Sequence, residues 1–204
     1  MRLREWLPPP AKGTPVCLGF DGSDFSDFTA IRGETLGGFS FTPRWGPDGL
    51  PTIWDPLEWP DLRTPRDQVG EAVDWLFGYY RVERMYCDPP RFETDVEAWA
   101  LRHGDKRVIE WPTYRPTQMF EALERFVADL AASRIEQDGC PTTEAHMSNA
   151  RKLARGNRYA IGKPSAAQKI DLAMATVLAH EAAADARAAG WVAQPKRSKV
   201  IHFR

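Results

Sequence analysis

The chain has 204 residues, 43% of them hydrophobic and 27% charged, proportions that suit a buried core and exclude intrinsic disorder, collagen and an uninterrupted coiled coil. Its 27 lysines and arginines nearly balance 28 aspartates and glutamates, for a formal net charge of -1, so any electrostatic function has to be local rather than a property of the whole surface. No apolar run approaches the ~18 residues needed to cross a bilayer, and MRLREWLPPP is too short and too charged for a secretion signal, so an intracellular, non-membrane setting is expected.

Residues 1–15 hold four prolines and few apolar anchors and read as a flexible linker. A globular domain is expected over 16–189. Val16 to Phe20 is a short apolar run ending in Asp21; after the small polar stretch GSDFSD, Phe28 to Ile31 resumes a strand pattern, so the two form a hairpin whose first strand delivers Asp21 at its end. Gly37 to Trp45 and Ile53 to Trp59 predict a third strand and an irregular excursion. Thr64 as cap, Pro65 as first helical residue and the spacing of Val69, Val73, Leu76, Phe77 and Tyr80 predict a helix. Arg84 to Cys87 is a strand ending in Asp88. A Thr94/Glu97 capping box opens a helix that His103 and Gly104 close, and Arg107 to Trp111 is the next strand. Phe120, Leu123, Val127, Leu130 and Ala131 form one helical face, and a short helix is expected from Thr143 to Leu153. A Ser165/Gln168 box is expected to open the last helix, with Ile170, Met174, Val177 and Leu178 as its apolar stripe. The tail 190–204 carries Lys196, Arg197, Lys199 and Arg204 with no acid and reads as flexible. This order predicts an α/β fold: a mixed sheet whose first three strands are antiparallel and later ones parallel, with helices on both faces.

Three carboxylates carry chemistry in this arrangement. If their strands are parallel neighbours, Asp21 and Asp88 emerge at the same carboxyl edge of the sheet, where α/β folds place their sites. Asp171 is expected in the second turn of the last helix, bordering its buried stripe. Burying an uncompensated carboxylate costs several kcal/mol, and a divalent cation with oxygen ligands removes that cost. Taken singly, each acid is better read as structural: Asp21 as a turn starter, Asp88 as a strand terminator and Asp171 as a favourable charge at a helix N-terminus. Cys17, Cys87 and Cys140 are odd in number and lack CxxC or Cys/His spacing, so buried thiols are expected rather than disulfides or zinc.

Rival motifs fail on the letters. Phe25 stands where a D-x-S-x-S metal site needs its second serine, Ser23 where a D-x-D-x-[TS] phosphotransferase needs its second aspartate, and GKPS at Gly162 to Ser165 lacks the spacing of a phosphate-binding loop. The strings GFDGSDFSDFTAI, MYCDPPRFE and HMSNARKLARGNRYAIGKPSAAQKIDLAMATVLA, in that order, instead resemble the C-terminal nuclease domain of tailed-phage terminase large subunits, a branch of the RNase H-like superfamily. The resemblance runs from Val16 to Glu181. It implies an RNase H-like fold and a metal-dependent endodeoxyribonuclease that cuts concatemeric viral DNA during genome packaging. It further implies that Asp21, Asp88 and Asp171 are catalytic and bind two divalent ions, Mg²⁺ or Mn²⁺. Asp27 matches a further family acid, and Asp24 in the same loop competes with it for that role. The partners implied are double-stranded DNA, a packaging ATPase domain, a small terminase subunit and a portal, in the cytoplasm of an infected bacterium; the chain is either an excised domain or a stand-alone nuclease.

Local charge agrees with a polyanionic substrate. Between Ala145 and Ile170 stand Arg151, Lys152, Arg155, Arg158, Lys163 and Lys169 and no acid, a DNA-binding strip leading into the helix of Asp171. His146 and Asn149, one helical turn apart, are either DNA contacts or a satisfied surface pair. Alternative readings are another RNase H-like nuclease, of junction-resolvase or transposase type, or a non-catalytic nucleic-acid-binding domain of the same fold.

Overall fold

The structure is a computed structural model and describes residues 6–192. In chain order the elements are β1 (Pro15–Asp21), β2 (Thr29–Thr35), β3 (Phe39–Phe41), β4 (Arg44–Trp45), β5 (Leu50–Pro51), β6 (Ile53–Trp54), α1 (Arg66–Tyr79), β7 (Arg81–Cys87), α2 (Glu93–His103), β8 (Val108–Glu110), α3 (Pro116–Ala131), β9 (Glu136–Gln137), α4 (Pro141–Asn149), β10 (Arg151–Arg155), β11 (Arg158–Gly162) and α5 (Asp171–Ala188). The main sheet runs β8-β7-β1-β2-β3-β9, with β6 also on β2. β1, β2 and β3 are antiparallel. β7 joins β1 in parallel, β8 joins β7 in parallel and β9 joins β3 in parallel. The expected mixed sheet is therefore present.

Strand alternation in β1 divides the core in two. Val16, Leu18 and Phe20 point into one cluster with Val69, Val73 and Leu76 of α1 and Val96 and Trp99 of α2. On the other face Cys17 packs with Met119, Leu123 and Phe126 of α3 and with Val177 and Leu178 of α5. Helices thus cover both faces. A fully buried pair, Arg32 of β2 and Asp138 just beyond β9 (3.2 Å), is stitched in by Ser40, Gln137 and Thr176, all accepting from Arg32, and by the N–H groups of Thr42 and Cys140 donating to Asp138. Such a pair tolerates burial only because its remaining donors and acceptors are met.

Gly19 sets how close α5 lies. A Cβ there would stand 2.2 Å from both Ala175 O and Ala179 N, so the α5 backbone rests directly on β1 and only glycine leaves room. This close seat fixes the α5 N-terminus beside the carboxyl end of β1.

The termini and helix starts depart from expectation for local reasons. Of the expected linker 1–15, residues 1–5 lie outside the described residues, while Leu7 N–H donates to Asp138 O and Trp6 Nε1 to its carboxylate. Of the expected tail, Trp191 is buried and its N–H donates to Ala186 O; residues 193–204 lie outside the described residues. Thr64 does not cap α1: its hydroxyl donates to Ser23 O at 2.6 Å, satisfying a carbonyl of the loop after β1. The Thr94/Glu97 box is absent because α2 starts two residues earlier, with Phe92 at the cap position packed between Phe20 and Trp99. The Ser165/Gln168 box does not open α5, which begins only at Asp171. Asp171 is therefore its first residue, not a second-turn residue. The helix expected to reach Leu153 stops at Asn149 and gives way to the β10–β11 hairpin.

Because the contact at Gly19 is backbone against backbone, Gly19→Ala should cost at least about 3 kcal/mol, beyond the usual range for overpacking. Urea unfolding reads this as a lower midpoint at unchanged slope; a loss under 1 kcal/mol would mean that α5 does not seat on β1 as described.

Candidate active site

Asp21 and Asp88 are adjacent by register. In the parallel β1–β7 pair Phe20 stands opposite Cys87, so both acids occupy the next position, and the Asp88 N–H extends the ladder to Phe20 O at 3.0 Å. Asp21 lies on the same face of β1 as Gly19, the face α5 covers, which brings it to the helix end where Asp171 stands. The Asp88 carboxylate accepts from both donors of Thr113: the N–H reaches Oδ1 at 3.0 Å and the hydroxyl reaches Oδ2 at 2.7 Å.

The charges interact strongly. Burial, then the charges of Asp171, Asp88 and Asp27, raise the Asp21 carboxyl well above its usual range. Burial and then Asp27 push Asp171 up to about 6. Burial raises Asp88 too, with the two Thr113 bonds opposing it. All four acids are thus within electrostatic reach. Asp171 Oδ2 is buried without a hydrogen-bond partner.

The loop after β1 separates its two acids. Asp24 is drawn to Arg66 at the start of α1. Asp27 turns toward the cluster and accepts from Lys163 at 3.0 Å and from Lys169; burial opposes its ionisation, but these two ammonium groups hold its carboxyl below the usual range. Of the six basic residues singled out, Lys163 and Lys169 therefore pair with an acid of the site. The other four belong to the hairpin: Arg151 folds back on Ser148 O and Ala150 O, Lys152 lies over the Tyr159 ring, Arg155 is exposed near the tip, and Arg158 donates to Thr117.

His146 is buried and Asn149 half-buried, and both bond to the protein itself. His146 is buried, burial pushes its pKa down to about 4, and its Nδ1 accepts the Leu172 N–H at 3.1 Å. It is neutral and caps α5 from outside, so its 3.9 Å approach to Asp171 is not an ion pair. Asn149 Nδ2 donates to Lys169 O. Between the hairpin tip and the segment leading into α3 lies a cleft of about 470 Å³, lined by Thr113, Tyr114, Met119, Arg155 and Arg158 among others, none of them acidic. Thr113, which bonds to Asp88, is part of its lining.

No protein-family model matches the chain. It is 29% identical over 194 residues to the gene 13 protein of Mycobacterium phage D29 and 29% identical over 197 residues to that of Mycobacterium phage L5. Those alignments cover 88% and 89% of this chain but 31% of each relative, so the chain spans about a third of their length. Among solved structures, the large terminase nuclease of thermophilic phage G20c superposes with a TM-score of 0.63 at 13% identity, over 88% of this chain and 94% of that one. The HK97 bacteriophage large terminase gives 0.61 at 14% identity, over 87% and 40%. The fold is that of phage large terminase nuclease domains.

The G20c nuclease has been solved with bound magnesium and with bound cobalt. The candidate donors in this chain are carboxylate oxygens, as hard cations prefer, and the orphaned Asp171 Oδ2 lacks any protein partner. Among the described residues no group of three or more His, Cys, Asp or Glu side chains is arranged to hold a metal ion; the fit is one of donor type and of an open acceptor.

The raised Asp171 carboxyl has a thermodynamic consequence. With its folded pKa at about 6 against an ordinary 3.8, the folded chain holds a proton that the unfolded chain releases, so ionising Asp171 costs stability increasingly from about pH 4 to about pH 6 and fully above. In chelator, Asp171→Asn should therefore raise the melting temperature by about 4 °C at pH 8 and change it little at pH 4. A lowered midpoint at pH 8 would make Asp171 a structural cap instead.

Proposed function

We propose that this chain is a metal-dependent DNA endonuclease of the phage terminase type, cutting concatemeric viral DNA during genome packaging. What supports this reading is that β1 and β7 end side by side, delivering Asp21 and Asp88, that the charges of Asp171, Asp88 and Asp27 all act on Asp21, and that Asp171 Oδ2 has no hydrogen-bond partner among the described residues. Asp21, Asp88 and Asp171 would hold two divalent ions, Mg²⁺ or Mn²⁺, which when bound activate water and stabilise the leaving oxygen of a phosphodiester. The part of the chain itself is positional. β1 and β7 hold two of the carboxylates side by side, and the His146 cap with the Gly19 seat holds the third opposite them. Asp27 and its two lysines sit at the rim, where ammonium groups can meet backbone phosphates. Arg151, Lys152, Arg155 and Arg158 on the hairpin give the duplex a cationic wall independent of sequence.

In that setting the partners would be double-stranded DNA, a packaging ATPase domain, a small terminase subunit and a portal, within the infected bacterial host. The fold likeness and the two mycobacteriophage relatives support this placement. Supercoiled plasmid should be nicked and linearised without sequence preference in Mg²⁺ or Mn²⁺, and left intact in excess chelator. Asp88→Asn should abolish cleavage while keeping the fold. By contrast, Arg155→Glu with Arg158→Glu should weaken DNA binding and reduce its salt dependence by roughly one unit of slope per lost phosphate contact. Cleavage that survives chelator, or an active Asp88→Asn protein, would defeat the reading; unchanged affinity and slope in the arginine variant would make the hairpin a plain solvated surface.

A further inference from the structure

A carboxylate at the end of a strand can rotate about two side-chain bonds, and a metal ligand that rotates freely spends binding energy on being fixed. Asp88 is not free. The N–H and the hydroxyl of Thr113 bond to different oxygens of the same carboxylate, at 3.0 and 2.7 Å, which fixes the plane of the group as a two-pronged donor does. Thr113 is itself fixed. The Trp111 N–H donates to Cys87 O at 2.8 Å, continuing the β7–β8 ladder past the last residue of β8, so Thr113 leaves the sheet at a defined place beside Asp88. Each carboxylate oxygen accepts one of these bonds and keeps further lone-pair capacity for a cation. The neighbouring acids are held differently: Asp171 Oδ2 has no hydrogen-bond partner among the described residues, and Asp27 accepts from the ammonium groups of Lys163 and Lys169.

We infer that Thr113 is a positioning residue that orients the Asp88 carboxylate for a divalent cation. The inference rests on the nuclease reading above and deepens it. Thr113 also lines the cleft that carries Tyr114, Arg155 and Arg158, so the residue that orients Asp88 also forms part of the wall of that cleft.

Thr113→Val keeps the N–H and the shape and deletes only the hydroxyl donor. Mn²⁺ affinity measured by calorimetry on the DNA-free protein should fall about tenfold, the lower end of what removing a ligand's supporting bond does. The Mn²⁺ concentration for half-maximal plasmid nicking should rise by the same factor, with the rate at saturating Mn²⁺ within about threefold of wild type. Thr113→Ser, which restores the hydroxyl, should return Mn²⁺ affinity to within twofold. Thr113→Ala, which deletes the hydroxyl without a buried methyl to accommodate, should reproduce the loss if the valine protein folds poorly. A purely structural role would lower the melting temperature and leave Mn²⁺ affinity unmoved. Wild-type Mn²⁺ affinity in the valine and alanine variants, or a serine variant as weak as they are, would overturn the inference alone. A wild-type chain that binds no Mn²⁺ would overturn the nuclease reading beneath it.

Discussion

There is no room for a side chain at Gly19. The α5 backbone lies on β1 there, with Ala175 and Ala179 where a Cβ would project, and much of the rest of the architecture follows from that contact. It lets a long, alanine-rich helix sit closer to the sheet than a helix with large side chains would allow, and it holds the first residue of that helix, Asp171, at the carboxyl end of β1. Were α5 displaced outward by the width of a methyl group, Asp171 would move away from Asp21 while the two strand-borne acids stayed put. Thr176 then ties the same helix to the buried Arg32–Asp138 pair, so the seat of α5 is held by packing at one point and by a satisfied ionic network at another.

Placing acids this way runs against electrostatics. Asp21, Asp27, Asp88 and Asp171 repel one another in a partly dry environment, and among the described residues Lys163 and Lys169, which bond to Asp27, offset that repulsion. The fold holds this arrangement through groups that are not themselves acids: Thr113 on Asp88, the neutral His146 on the first turn of α5, and Arg66 drawing Asp24 out of the cluster. An unfavourable charge distribution maintained by the surrounding fold is a familiar property of sites that bind cations. A cation bound among the acids, as proposed, would recover the stability given up in the free protein.

How much of this was legible in the sequence differs from feature to feature for physical reasons. Apolar runs ending in aspartate mark both strand-end acids, because a strand pattern and its terminus are local, whereas the pairing of β1 with β7 joins residues as far apart in sequence as Val16 and Val82 and follows only from the fold. Helix starts were misplaced wherever a tertiary partner outcompeted a side-chain cap: Thr64 went to Ser23 O, Phe92 to an aromatic cluster, and the α5 cap came from His146, twenty-five residues before Asp171. The hairpin was readable but missed. Gly156–Asn157 is a two-residue turn signal, and Gly156 has the positive φ (64°) such turns need, whereas the expected helix runs on to Leu153, into the first strand of the hairpin. Thr113 carried no motif at all; its role exists only because β8 runs beside β7.

The central claim is that Asp21, Asp88 and Asp171 together form a divalent-cation site. Anomalous diffraction from crystals soaked in Mn²⁺ tests it most directly, since it locates the ions without reference to activity. The account predicts two peaks about 4 Å apart, each touching oxygens of at least two of these carboxylates, with Asp88 still gripped by Thr113. Manganese bound only elsewhere on the surface, or no peak at the carboxyl edge of β1 and β7, would contradict it.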